Sequence, residues 1–130
     1  MIDEKTISEL REALEKEKKE LVSELGSVAH PDSEVKGGWK VDFPTFERSE
    51  NASHAQKEEE ADEVEEYEMR LATQHELQGR LAKVERALER LKQGTYGVCS
   101  ICKVQIPLER MRANPAAEYD MAHEPKELAA

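Results

Sequence analysis

Cys99 and Cys102 form a Cys-x-x-Cys pair, and Asp120 and His123 repeat the same spacing further along the chain. Two thiolates held in a tight turn can face one tetrahedral cation, and Gly97 just before them lets the backbone bend. A carboxylate and an imidazole are zinc ligands as well. Two thiolates and one carboxylate around Zn²⁺ leave a single net negative charge, as three thiolates and an imidazole do. Asp120 could therefore stand in for a thiolate without altering the charge balance, although it is a harder and less zinc-selective ligand. Two other readings exist. A redox dithiol shares the spacing, but such pairs open a helix after a strand, in a βαβ setting that this sequence lacks. Asp120 can also be read as a plain turn residue beside a vestigial site. A segment this short has little core of its own and needs a staple, which favours a metal. The expected site is one structural zinc per chain, held by Cys99, Cys102, Asp120 and His123.

The elements that must position these residues are helical. Thr6-Ile7-Ser8-Glu9 reads as a capping box. Ile7, Leu10, Leu14, Leu21 and Leu25 then recur at helical spacing, with Glu and Lys on the other faces. A first helix is expected from about residue 4 to about 26, ended by Gly26. Residues 27–52 break the periodicity with Pro31, Gly37-Gly38, Pro44 and Asn51, and carry Trp39, Phe43 and Phe46, aromatics expected to pack back on the scaffold. Ser53-His54-Ala55-Gln56 is a second capping signature, opening a helix over 53–93. Val64, Tyr67, Leu71, Leu77, Leu81, Val84, Leu88 and Leu91 mark its apolar face, which slips phase between Leu71 and Leu77. Pro107 can start a short helix through Arg110 or Arg112. Almost no strand is expected outside the knuckle.

Neither long helix can hide its stripe alone, so the expected fold is mostly α: a long antiparallel helical hairpin, of coiled-coil type, over 1–93. A zinc-finger-like knuckle and short tail occupy 94–130.

Composition agrees. Of 130 residues, 38% are hydrophobic and 37% charged, which argues for long helices burying one narrow stripe rather than a thick core. The net charge of −10 argues against a broad basic face for nucleic acid. Residues 57–70 hold eight acidic side chains against two basic ones, more than a helix dipole felt over about one turn needs. No apolar run approaches the roughly 20 residues that span a bilayer, and MIDEKTISEL lacks a signal-peptide layout. Both cysteines lie in one cluster, as expected in a reducing cytoplasm. No catalytic constellation of His, Ser or Asp stands out, so no enzyme is expected, and His30, His54 and His75 read as ordinary surface residues.

ADEVEEYE at 61–68, VERALERLKQGTYGVCSIC at 84–102 and IPLERMRANPAAEYD at 106–120 resemble the bacterial DksA/TraR C4-type zinc-finger proteins. GGWKVDFPTFE at 37–47 looks like the corresponding loop of their shorter stand-alone members. The resemblance covers about half the chain and keeps motif order and ligand-pair spacing. It departs in two places. Asp120 and His123 replace the second cysteine pair, and Gln56, Glu59 and Ala61 fall where an Asp-x-x-Asp-x-Ala motif marks the family's hairpin tip. The resemblance implies a monomeric transcription regulator whose tip enters the secondary channel of RNA polymerase, with no sequence-specific contact to nucleic acid. Arg110 and Arg112 are possible surface contacts. A stress or adaptor protein that kept the fold but lost metal or polymerase binding is the alternative.

Overall fold

The computed structural model describes residues 2–45 and 53–124. Along the chain come α1 (Glu4–Val28), β1 (His30–Pro31), β2 (Trp39–Lys40), α2 (His54–Gln93) and α3 (Leu108–Ala113). The chain is mostly helical, as its striped segments predict. Strand is scarce, as expected, and a small part of it lies outside the knuckle. β1 and β2 form a two-residue antiparallel ribbon, His30 opposite Lys40 and Pro31 opposite Trp39, inside the loop. The knuckle has an isolated bridge between Val98 and Gln105 instead. The ribbon forms because Gly37 takes φ 77, so that Asp32 N–H reaches Gly38 O at 2.9 Å and Gly38 N–H reaches Val35 O at 2.9 Å.

The first cap also differs. Thr6 N–H donates to Asp3 Oδ1 at 3.0 Å and Ile7 N–H to Asp3 O at 3.0 Å, so Asp3, not Thr6, closes the helix start. Thr6 is buried and belongs to the stripe: Thr6, Leu10, Leu14, Leu21 and Leu25 are the buried residues of α1. Nor does Gly26 end this helix, which continues to Val28. It stops before His30, where the following Pro31 disfavours helical backbone. The second capping box is borne out. Gln56 N–H donates to Ser53 Oγ at 3.2 Å, and Ser53 N–H donates to Gln56 Oε1 at 2.9 Å.

The chain divides into two compact units, the described residues of Met1–Glu20 with Arg80–Ala130, and Leu21–Gly79. This division crosses both long helices rather than falling at residue 93. In the first unit the start of α1 lies with the end of α2; in the second the end of α1 lies with the start of α2. The helices therefore run antiparallel.

Within the first unit Leu10, Leu14, Leu81, Val84 and Ala87 are buried. Glu17 stands in the gap between Leu14 and Leu21, and Arg80 of α2 grips it with Nε at 2.6 Å and a terminal nitrogen at 3.0 Å. Both side chains are about one-third exposed, so this two-pronged pair sets register more than it adds stability.

In the second unit Leu21, Leu25, Val41 and Gln74 are buried. Gln74 fills the step between Leu71 and Leu77 that had looked like a slip of phase. Its amide donates to Trp39 O at 3.3 Å and to Gln78 Oε1, which satisfies the buried donor and ties β2 to α2. Phe43 meets Tyr67 edge-on, ring centroids 5.0 Å apart, so this loop aromatic does turn back on α2. Phe46 lies outside the described residues.

Leu14 has no exposed surface. Leu14→Ala is expected to destabilise the chain by about 3 kcal/mol, through lost transfer energy and a residual cavity. Urea unfolding followed by circular dichroism checks this, and a loss near zero would mean that Leu14 is not core.

Candidate metal centre

The knuckle begins where α2 is stopped. Gly94 takes φ 78 and Thr95 N–H reaches back to Arg90 O at 3.0 Å, closing the helix with a left-handed residue. Tyr96 then turns inward, its hydroxyl donating to Pro115 O at 2.7 Å, and burial pushes the phenol up to about 12. Gly97 has φ 81, a left-handed backbone that favours glycine; a Cβ there would stand 2.8 Å from Ile2 Cδ1, the movable end of a side chain.

Three backbone bonds shape the cysteine turn. Cys99 N–H meets Val104 O at 2.9 Å, Lys103 N–H meets Cys99 O at 3.0 Å, and Ile106 N–H meets Gly97 O at 2.8 Å. Lys103 carries the sharp return at φ 61, and its ammonium donates to Ser100 O at 2.8 Å. Cys99 is fully buried in a cluster with Leu10, Ile106, Met111 and Ala117.

The second pair is positioned from α3. Pro107 stands just before that helix, and Asn114 ends it. Asn114 Oδ1 accepts from Ala116 N–H at 3.2 Å and from Arg80 at 3.1 Å, tying the turn to α2. Ser100 N–H donates to Glu118 O at 3.0 Å, which joins this arm to the cysteine arm. The Glu118 carboxylate lies 3.2 Å from Arg90 and 3.7 Å from Arg86. Burial lowers the Arg90 pKa from its ordinary value, and Glu118 opposes that shift.

Cys99, Cys102, Asp120 and His123 come together with one ligand atom each, all within 4.8 Å of one another. Zinc bonds of about 2.0–2.3 Å in a tetrahedron put ligand atoms roughly 3.3–3.8 Å apart, so a small contraction seats an ion. Asp120 is the hub. Its Oδ2 lies 3.2 Å from Cys102 Sγ, and its Oδ1 accepts from His123 N–H at 2.9 Å and faces His123 Nδ1 at 2.8 Å. Hydrogen bonding to Cys102 and His123 holds the Asp120 carboxyl below its ordinary value, and the Asp120 bond raises His123. Burial pushes the Cys99 thiol up, but backbone N–H groups of Cys102, Asp120 and Ile101 outweigh it and bring Cys99 down to about 7. For Cys102 the Val104 N–H acts downward, yet Asp120 and burial prevail and raise it.

Gln56, Glu59 and Ala61 lie exposed on the first two turns of α2. Gln56 is already committed through its carbonyl to the cap. Arg112 is exposed, but Arg110 is inward and bonded to the 119–124 segment. His30 pairs with Asp42 at 2.9 Å and His54 with Glu58 at 3.1 Å, while His75 is exposed. The residues missed in sequence are the polar ones that hold the arms: Arg80, Arg90, Asn114 and Glu118. Their signal was weak, since charged side chains on helices are usually solvated.

A two-armed knuckle of ligand-type residues packed on the root of a helix pair defines a zinc-finger-like protein. Residues 94–119 match the family model described as the prokaryotic dksA/traR C4-type zinc finger, which bears out the resemblance over that stretch. The match stops one residue short of Asp120. The chain is also 51% identical to general stress protein 16O of Bacillus subtilis (strain 168) over 37 residues, 28% of this chain. That alignment spans 23% of the relative's length. Among the described residues no helix is long and apolar enough to cross a membrane.

In metal-free protein the Cys99 thiol is expected to ionise near 7, not at its ordinary 9.0. A lowered pKa contributes stability that is present above the ordinary value and lost as pH falls through the folded one. Thiolate ultraviolet absorbance against pH should show this early step in the wild type and lose it in Cys99→Ser. A single step at the ordinary value would contradict the hydrogen-bonded turn.

Proposed function

We propose that this chain is a DksA-like transcription regulator that binds RNA polymerase through its secondary channel and carries a structural zinc in its knuckle. The convergence of Cys99, Cys102, Asp120 and His123, the first two inside the stretch 94–119 that matches a zinc-finger family and the others just beyond it, carries the reading. Those four residues would hold the ion. When bound, zinc supplies a cross-link between two arms that otherwise share only a small core. The chain's own residues set the arms: Gly97 and Lys103 shape the first, Asn114 and Glu118 the second.

The partner-binding end of the reading rests on Gln56, Glu59 and Ala61. They lie on the exposed acidic start of α2, where residues 57–70 carry eight acidic side chains. A helix pair roughly 10 Å across per helix can enter a channel closed to a globular domain. A carboxylate delivered near a catalytic Mg²⁺ can alter local electrostatics strongly. The action is on protein, which suits a net charge of −10. The second reading, a stress or adaptor protein without a polymerase role, is favoured by the name of the Bacillus subtilis relative.

Two measurements test these readings. Metal analysis of protein purified without chelator should find one zinc per chain in the wild type and less in Asp120→Ala, with chelation loosening the knuckle more than the helices. Metal-free wild type would make the site vestigial. For the partner, Glu59→Lys should lose control of transcription from a short-lived promoter complex. It should keep polymerase binding and stability within about 0.5 kcal/mol, as a surface change does. Failure of the wild type to bind polymerase in a pull-down would leave the adaptor.

A further inference from the structure

We infer that Arg110 is a positioning residue for the metal site, a clamp that holds the Asp120–His123 arm in place for the ion. Arg110 stands on α3, and three of its nitrogens reach the segment on both sides of the two ligands. Nε donates to Tyr119 O at 3.0 Å, immediately before Asp120. One terminal nitrogen lies 3.0 Å from Met121 Sδ, immediately after Asp120. The other lies 2.9 Å from the Glu124 carboxylate, immediately after His123. The ligands are thus bracketed at both ends by one planar group, which only a guanidinium can do, because its donors diverge from a rigid fork.

The arm needs such a clamp. Asp120 itself turns to the two cysteines. Beyond it the backbone bonds of the arm are local, His123 N–H and Glu124 N–H to Asp120 O at 3.2 and 3.0 Å. They set the shape of the turn without fixing where it stands. Ser100 N–H to Glu118 O fixes its start. Arg110 fixes the rest to α3, whose Met111 is fully buried in the knuckle core. The Arg110 side chain is only 20% exposed, whereas Arg112 two residues on is exposed. This burial and bonding separate a clamp from a solvated surface arginine. Groups that orient ligands from behind affect metal affinity strongly, by about 10- to 100-fold when lost.

The assignment deepens the metal reading and rests on it. The test compares full-length wild type with Arg110→Met, Arg110→Lys and Arg112→Met. Zinc affinity is read by competition with a chromophoric chelator, cobalt(II) coordination by the intensity of its ligand-field bands, and folding by thermal melt. Arg110→Met should bind zinc about 10- to 100-fold more weakly and lose tetrahedral cobalt intensity as the arm leaves. Arg110→Lys keeps a charge for Glu124 without the fork and should fall between. Arg112→Met should match the wild type, which excludes a general effect of net charge. Should Arg110→Met melt early, the cobalt spectrum of Arg110→Lys decides. Wild-type zinc affinity and cobalt spectra in both Arg110 variants overturn the clamp alone. A wild type that takes up no zinc overturns the metal reading and the clamp with it.

Discussion

The chain beyond Gly94 has too few large apolar side chains to close a core by itself. Among the described residues of that stretch Ile106, Met111 and Cys99 are fully buried, and Ala117 clusters with them. Leu10 of α1 and Ile2, just before that helix, supply the missing wall. This dependence orders the first unit. The start of α1 must lie against the knuckle, Ile2 lies against the left-handed turn at Gly97, and Cys99 is held in apolar surroundings rather than at the surface. Small segments generally need such borrowed surface or a staple, and here the borrowed surface reaches Cys99, one of the four ligand-type residues that converge.

Polar contacts then settle the details that apolar packing leaves loose. Glu17, Arg80 and Asn114 join α1, α2 and the turn after α3 in one bonded series. Arg90 and Glu118 do the same between α2 and the second ligand arm. Arg90 carries the cost of this use. Its Nε is buried with no protein partner, and burial works against its charge. Removing Glu118 would leave that guanidinium with only the Ala117 carbonyl, so such pairs hold geometry more than they add net stability. The metal-ligand type side chains sit inside this frame, and Asp120 joins Cys102 and His123 through its two oxygens.

The second unit uses a different device. Its helix pair has a buried amide, Gln74, where the stripe of α2 lacks an apolar residue. The amide stays buried because Trp39 O and Gln78 accept its protons. The ribbon in the loop is thereby fastened to α2, with Val41 buried behind it and Phe43 resting on Tyr67. The acidic start of α2 is left exposed, with Glu58 facing His54 and Glu66 facing Arg70 along the helix.

Much was legible in the residues alone. Helical periodicity located both long helices, the Ser53–Gln56 box fixed the start of α2, and two Cys-x-x-Cys-like spacings picked out the four residues that converge. These signals are local, repeating every three or four residues, so one chain suffices to read them. The Asp3 cap and the passage of α1 through Gly26 turn on competition among neighbouring residues, whereas the ribbon at His30–Pro31 and Trp39–Lys40 and the core role of Gln74 were decided by tertiary structure. So were the inward turn of Arg110 and the pairing of Arg90 with Glu118. For Arg90 and Gln74 the partner lies far along the chain, a carboxylate 28 residues away and a carbonyl 35 residues away. A polar side chain on a helix looks the same in sequence whether it faces water or a distant acceptor, and only the packed chain supplies the acceptor that makes burial affordable.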